Sequence, residues 1–272
     1  MDKRRSEPAF RVRAEDEQIG AAALALAREL ASLGERAQRF VELAGVPAFV
    51  KASPLTGAAR LRWTLKACVL RSPLPREREY GNLRWLRERL FLAPEPLVTV
   101  IASRAGAPCF QMLATRAVEG ARTLEEHLRE EPRDATRPLV LELAAESARM
   151  HALHFVHRDL FPRNVLVKPE ASGGALWFLD CWKGGERLQL RGPEYDLACF
   201  LLRAPEWLGA ELQHAFLEHY FAERAAQGRP VANARRFTER VERERATLVR
   251  RIHQRPAEAR GLGAPIAEWR IG

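Results

Sequence analysis

An acidic residue, an amide five positions later and an apolar strand directly behind them form the feature that most constrains this chain. They lie in His157-Arg158-Asp159-Leu160-Phe161-Pro162-Arg163-Asn164-Val165-Leu166-Val167. Sixteen residues after Asn164, a second apolar run, Leu176-Trp177-Phe178-Leu179, ends in Asp180. Gly173-Gly174 between the two runs reads as the turn of a hairpin, which points Asn164 and Asp180 toward one place. A turn in which Asp159 caps a backbone amine and Asn164 closes an Asx turn explains each residue separately but not their joint spacing.

The chemistry that needs these groups together is phosphoryl transfer. It requires a base or orienting group for an acceptor hydroxyl and hard oxygen ligands for Mg²⁺. Asp159 suits the first role, Asn164 and Asp180 the second. H-R-D-L-x-x-x-N followed by a strand-terminal aspartate is far more specific than an isolated glycine motif.

Composition sets outer limits. At 272 residues the chain can bury a sizeable core as one large domain or two apposed lobes. The formal charge of +9 suits an anionic partner of several kinds and does not choose among them. Nucleic acid is the least favoured, because Trp63, Trp85, Trp177 and Trp182 sit in apolar elements instead of alternating along a basic groove. Cys68, Cys109, Cys181 and Cys199 are far apart with no CxxC pair, which predicts reduced thiols and neither a zinc site nor a disulfide framework. No stretch approaches the roughly 18 apolar residues of a membrane span, and the charged start lacks a signal-peptide core. The expectation is a cytoplasmic protein able to work at a membrane face.

Along the chain, residues 1–16 read as loose and polar, and 17–33 as a helix stopped by Gly34. Residues 39–44 and 48–51 form a hairpin broken at Gly45 to Pro47, whose second strand delivers Lys51. Lys51 is either the solvated end of that strand or a ligand for nucleotide α and β phosphates. Lys66, in a segment that fits a strand or a short helix, is its rival. In the following helix, broken by Pro94, Tyr80, Leu83, Trp85-Leu86 and Leu90 make an apolar stripe. Glu79 falls on the inward side of that helix, and Glu77 on another face.

Two strands, 97–103 and 108–114, precede a helix that Thr123 caps with Glu126 in the capping-box position. A strand, a linker and a helix in that order form either an ordinary connection or a hinge. In the hinge reading a nucleotide base lies against Met112 and bonds the backbone near Ala114 and Arg116. Residues 138–153 read as an amphipathic helix supporting the His157 segment, and a further helix starts at Pro193. Within it Asp196 either caps the helix or braces the backbone of His157 and Arg158. Helices over 211–226 and 233–251 follow, the last so rich in arginine that one face must be solvated or engaged with anions, and residues from 256 on read as a tail.

These residues resemble the protein-kinase-like fold and, more narrowly, the bacterial lipopolysaccharide core kinases that act on Kdo or heptose. Ala48-Phe49-Val50-Lys51 is similar to the family's F-V-K strand, residues 61–74 to its inserted segment, and Glu79-Tyr80-Gly81-Asn82-Leu83 to its E-W/Y-x-x-L helix. That register favours Lys51 as the nucleotide lysine and Glu79 as its partner. Residues 113–128 resemble the hinge and the helix after it. His157-Arg158-Asp159 and Asn164 match the catalytic loop, Asp180 the metal-binding aspartate, and Asp196 the residue that braces the loop. The chain departs from the pattern of protein kinases in three places. A G-x-G-x-x-G loop before Lys51 is reduced to Gly45, Asp180-Cys181-Trp182 stands for Asp-Phe-Gly, and Ala204-Pro205-Glu206 comes after Asp196, out of order for a peptide-binding activation segment.

The resemblance implies an α+β, two-lobed fold with a small antiparallel N-terminal lobe and a mostly helical C-terminal one. Its divisions are 1–36 as an extension, 37–115 and 116–255 as the lobes, and 256–272 as a tail. It implies ATP and Mg²⁺ as cofactors. Catalysis falls to Asp159, Lys51, Glu79, Asn164 and Asp180, nucleotide contact to Lys51, Glu79, Met112, Ala114, Asn164 and Asp180, and the metal to Asn164 and Asp180. Arg158 and Arg163 are placed to meet loop carboxylates or substrate phosphate. The expected acceptor is a saccharide or lipopolysaccharide precursor, with peripheral contact to an anionic membrane at its cytoplasmic face and no obligate protein partner. The alternatives are an atypical protein or small-molecule kinase and a nucleotide-binding pseudokinase scaffold.

Overall fold

A computed structural model describes residues 7–170, 173–187 and 192–254. Contacts divide the chain after Glu119 into two compact units.

The N-terminal unit runs β1 (Ala9–Ala14), α1 (Glu17–Leu33), β2 (Ala37–Leu43), β3 (Val46–Pro54), α2 (Gly57–Cys68), α3 (Pro75–Glu88), β4 (Pro96–Arg104) and β5 (Ala107–Arg116). Its five strands form one antiparallel sheet in the order β1-β4-β5-β3-β2. Both tight hairpins turn on a pair of left-handed residues, Ala44-Gly45 and Ala105-Gly106. Two positive φ angles match the twist of the strands they join. Asp16 accepts a hydrogen bond from Ile19 N at the start of α1, and Gly34 at φ 67° ends it. The apolar face of α1 then buries Ile19, Ala23, Ala27 and Leu30 against Ala48, Val50, Ala52, Val98, Val100, Met112 and Ala114.

Residues 9–14 correct the expectation of a loose start. Phe10, Val12 and Ala14 alternate with arginines and pack toward α1, while the backbone pairs with β4 from Ala9↔Ser103 to Ala14↔Val98. Arg11 and Arg13 point the other way, the first to Glu77 at 2.8 Å and the second over the Tyr80 ring. The segment around Lys66 resolves as the helix α2, with Trp63 buried and Lys66 lying over its ring at 5.0 Å. Lys66 is therefore not a strand lysine.

The C-terminal unit runs β6 (Arg122–Thr123), α4 (Leu124–Glu130), α5 (Arg133–Ala152), β7 (Phe155–Val156), β8 (Val165–Glu170), β9 (Gly173–Phe178), β10 (Gly185–Glu186), α6 (Pro193–Phe200), α7 (Ala204–Trp207), α8 (Gly209–Ala226) and α9 (Ala234–Gln254). Thr123 and Glu126 make the capping box at the start of α4, a device that contributes about 1 kcal/mol. α5 packs along α8, and α6 along α9. Phe200 against Phe216 and Tyr220 against Phe237 join these helices, with ring centroids 4.7 and 5.7 Å apart.

Three boundaries differ from the sequence pattern. α5 begins at Arg133, five residues before Pro138, which the helix accommodates in its second turn. Gly173 and Gly174 are not a turn but strand residues, paired with Glu170 and Pro169. A Cβ on Gly174 would sit 2.8 Å from both Leu139 Cδ2 and Val167 Cγ1, so glycine there serves close packing against α5. Ala204-Pro205-Glu206 forms most of α7. The tail from 256 lies outside the described residues.

Candidate active site

In the N-terminal unit, strand register positions the lysine. Lys51 lies between Val50 and Ala52, whose side chains are in the core under α1, so its own side chain leaves by the opposite face. There Nζ lies 2.8 Å from Glu79 Oε1 of α3. Glu79 is 1% exposed and also accepts from Arg76 Nη1. A buried carboxylate is tolerable only when paired, and here two cations share it. Gln111 of β5 ties the start of α3 to the sheet, accepting from Arg76 N at 3.2 Å and donating to Ser53 Oγ at 3.3 Å. Glu77 caps its own helix at Leu74 N and bonds Arg11.

Met112 and Ala114 are not brought to Lys51. Both belong to the core under α1, and the residue directly across from Lys51 is Leu113. Leu113 and Thr115 share the sheet face of Lys51, while the side chains of Met112 and Ala114 lie on the other face, in the core under α1. Ala114 sits in the central strand of the ladder, opposite Val50 and Val98. The N–H groups of Arg116 and Ala117 are taken by Glu95 O and Pro47 O.

In the C-terminal unit, the His157 segment is a short loop held from below. Asp196, fully buried in the first turns of α6, accepts from His157 N at 2.7 Å and Arg158 N at 2.6 Å. Its Oδ2 also lies 3.1 Å from His151 Nε2, and His151 Nδ1 lies 3.0 Å from Tyr220 Oη. His151 thus links Asp196 to Tyr220 of α8 through its two ring nitrogens. These bonds hold Arg158 at φ 61°, a left-handed conformation that a non-glycine residue adopts at a cost of about 1 kcal/mol.

The loop then presents its chemistry. Asp159 is 5% exposed, and Lys183 Nζ lies 3.0 Å from its Oδ1. Asn164 Nδ2 donates to Asp159 O at 2.8 Å, which leaves Oδ1 as the accepting end of the amide. Asn164 O receives Leu179 N at 2.8 Å, and Asp180 follows at φ 56°. The hairpin of β8 and β9 thus brings Asn164 and the Asp180 backbone together. Gly184 completes the arrangement, since a Cβ there would lie 2.4 Å from Val156 O and 2.7 Å from His157 O. Backbone against backbone at that distance admits only glycine.

Electrostatics follow burial. His157 is fully enclosed, and burial holds its imidazole below the usual pKa despite Asp196, Asp159 and Asp180 nearby. Burial likewise raises the Cys199 thiol well above its ordinary range and raises Tyr195 beside it. Cys199 is therefore an inert packing residue. Glu125, facing Arg163 and Arg203, is also raised by burial.

Asn164 and Asp180 supply one amide and one carboxylate oxygen, and no cluster of three or more His, Cys, Asp or Glu able to hold a metal occurs among the described residues. Two hard oxygen donors fit an ion that completes its shell with water and phosphate and do not fit zinc. Lys183 and Gln111 escaped sequence reading. Lys183 follows Asp180 by three residues, which was the available signal; Gln111 had none.

A five-stranded unit with a strand lysine paired to a helix glutamate, joined to a helical unit whose His-Arg-Asp loop is braced by a buried aspartate, is a protein-kinase-like fold. A family model described as "Lipopolysaccharide kinase (Kdo/WaaP) family" matches residues 61–220, more than half of the chain. Among solved structures, WaaP in complex with acyl carrier protein is similar with a TM-score of 0.57 and 20% identity, over 88% of this chain and 99% of that one. The Mycobacterium tuberculosis PknI kinase domain is similar with a TM-score of 0.38 and 13% identity, over 76% and 94%. No curated protein matches. The chain belongs to the lipopolysaccharide kinase (Kdo/WaaP) family, and it is a kinase. The family match includes Glu79, Asp159, Asn164, Asp180 and Asp196, and leaves Lys51 and α9 outside.

Proposed function

We propose that this kinase transfers the terminal phosphoryl group of ATP, in the presence of Mg²⁺, to a hydroxyl of a lipopolysaccharide-core sugar, Kdo or heptose. The observation that carries the reading is the Asp159 carboxylate, held by a doubly braced loop beside the amide of Asn164. In this reading Asp159 orients the acceptor hydroxyl and receives its proton. Lys51, oriented by Glu79, steadies the α and β phosphates. Asn164 Oδ1 and the Asp180 carboxylate would hold the metal, which supplies charge neutralisation on the phosphates when bound. Lys183 offsets negative charge next to Asp159 as transfer proceeds.

Contact with an anionic membrane surface is part of this proposal, since core sugars are carried on lipid. What supports it is α2 and the turn after it. Leu61, Leu65, Val69 and Leu70 are exposed there, at 59–74%, with Arg62, Lys66 and Arg71 interleaved. An apolar stripe edged by cations suits a negatively charged leaflet. Among the described residues no helix is long and apolar enough to cross a membrane.

Incubation with ATP, Mg²⁺ and purified core acceptors tests the reading by phosphate incorporation. Kdo- or heptose-terminated acceptors should be phosphorylated, and Asp159→Asn should lose turnover while still binding ATP. Transfer undiminished in Asp159→Asn, or no transfer to any core sugar, would overturn it.

A further inference from the structure

An open cleft of about 780 Å³ lies beside the His157 loop in the C-terminal unit, lined by Arg158, Glu194, Tyr195, Arg240, Arg243, Glu244 and Thr247. That volume is in the range of sites for small organic ligands. One wall is the catalytic loop and the start of α6. Arg158 precedes Asp159 in the chain, its guanidinium carbon is 5.8 Å from the Tyr195 ring centroid, and Tyr195 feels the Asp159 charge. The other wall is α9. Arg240, Arg243, Glu244 and Thr247 recur at three- and four-residue spacing and so share one helix face. The opposite stripe of α9, with Phe237, Val241, Leu248 and Ile252, is buried.

The charges of this cleft are unevenly satisfied. Arg240 Nε is paired with Glu194 Oε1 at 2.7 Å. The guanidinium of Arg243 and the carboxylate of Glu244 pair with no described residue, although the same helix pairs Arg235 with Glu239 and Arg245 with Glu242. Both groups are open to the cleft, whose other side is formed by Arg158, the residue before Asp159, and by Tyr195. A guanidinium binds carboxylate or phosphate through two parallel hydrogen bonds, and a carboxylate accepts from hydroxyl groups.

We propose that this cleft seats the acceptor as an acidic saccharide, with its carboxylate or phosphate on Arg243 and Arg158, its hydroxyls toward Glu244 and its ring against Tyr195. The inference rests on the proposed sugar-kinase reading and goes beyond it. It assigns acceptor choice to α9, a helix outside the stretch that the family model matches.

The test uses Kdo as the carboxylated probe, glucose 6-phosphate as the phosphorylated one and glucose as the neutral one. Each is titrated calorimetrically into the full chain without nucleotide, then assayed with ATP. Arg243 is exposed, so its replacement leaves the fold intact. Arg243→Gln should weaken binding of the preferred acidic probe about 10- to 100-fold, the range of a lost charged hydrogen-bond pair. The KM for that probe should rise in step, with the KM for ATP unmoved. Arg243→Glu should weaken it further, and Arg235→Gln, on another face of α9, should change nothing. A preference for Kdo identifies the carboxylate as the recognised group, and a preference for glucose 6-phosphate the phosphate. Equal binding of acidic and neutral probes, no binding of any, or binding insensitive to Arg243→Gln overturns the proposal. Binding that depends on Arg243 without any transfer sustains the cleft and counts against the kinase reading of its acceptor instead.

Discussion

Lys183 Nζ lies 3.0 Å from Asp159 Oδ1, which gives the loop carboxylate a cation from the segment just past Asp180. The lysine is half-exposed while the carboxylate is buried, so the charge sits on the solvent side of Asp159. In the proposed reaction that is where the acceptor hydroxyl and the migrating phosphoryl group must come. Lys183→Met should lower kcat by about 10- to 100-fold, near the lower end of what loss of one transition-state donor costs. The KM for ATP should stay within about twofold. Lys183→Arg should restore part of the rate. Steady-state kinetics decides, and an unchanged kcat in the methionine variant would leave Lys183 as a surface ion-pair partner.

Asp196 supports the same loop from underneath. Its carboxylate accepts from His157 N and Arg158 N and lies against His151, so removal strands two buried donors and a ring nitrogen. Asp196→Ala should cost about 3 kcal/mol of stability, the usual result of breaking a buried charged network. Urea denaturation followed by circular dichroism measures this. Asp196→Asn keeps the shape and one acceptor oxygen, and should fall between alanine and wild type. A midpoint in Asp196→Ala equal to that of the wild type would show that other bonds hold Arg158 left-handed.

His157 gives the protein a pH dependence whose sign follows from burial. Its folded pKa is held below the ordinary value, so the unfolded chain takes up a proton near pH 6.5 while the folded chain still refuses it. Below about pH 6.5 the unfolded state therefore binds more protons, and stability falls by up to about 1.4 kcal/mol per pH unit until the folded pKa is reached. Above that pH His157 contributes no slope. Asp196, Asp159 and Asp180 face the ring and shorten the window by favouring its charged form. Thermal melts from pH 7.5 to 5.5 should show the decline in wild type and a flatter one in His157→Gln. Equal slopes would place the proton uptake on another group.

How much of this was legible depended on whether a residue's role is written locally. The hairpin delivering Lys51, the α3 helix carrying Glu79 and the loop from His157 to Asn164 each announce themselves by period, breaker and spacing. The face that Met112 joins is not written locally, because an apolar strand between two others has two faces and only α1 packing on one of them decides. β1 was missed because six residues of alternating Phe, Val and Ala with arginines look polar until α3 supplies Glu77 and Tyr80 as partners. Gly174 looked like a turn because the contact that requires it comes from Leu139, some 35 residues earlier in the chain. The charges of α9 read as a face either solvated or engaged with anions, since the cleft wall opposite them belongs to α6 and the loop.

The exposed side of α2 gives a prediction about where the enzyme works. Leu61, Leu65 and Val69 repeat every four residues, so they form one stripe, and Trp63 is buried on the other side of the helix. Arg62 and Lys66, whose charged ends lie over the Trp63 ring, each follow a stripe leucine in the chain and so flank the stripe. Burying three such side chains in an interface recovers roughly 1.5 kcal/mol or more each, and each nearby cation adds about 1 kcal/mol on an anionic surface. Together these terms exceed the affinity needed for reversible adsorption at lipid concentrations near a millimolar. The full chain should therefore co-sediment with phosphatidylglycerol vesicles and stay in the supernatant with phosphatidylcholine, with binding reduced as salt is raised. Leu61→Glu combined with Leu65→Glu should abolish sedimentation while leaving phosphorylation of a short, lipid-free acceptor intact. Sedimentation that persists in that double variant would move the membrane contact away from α2.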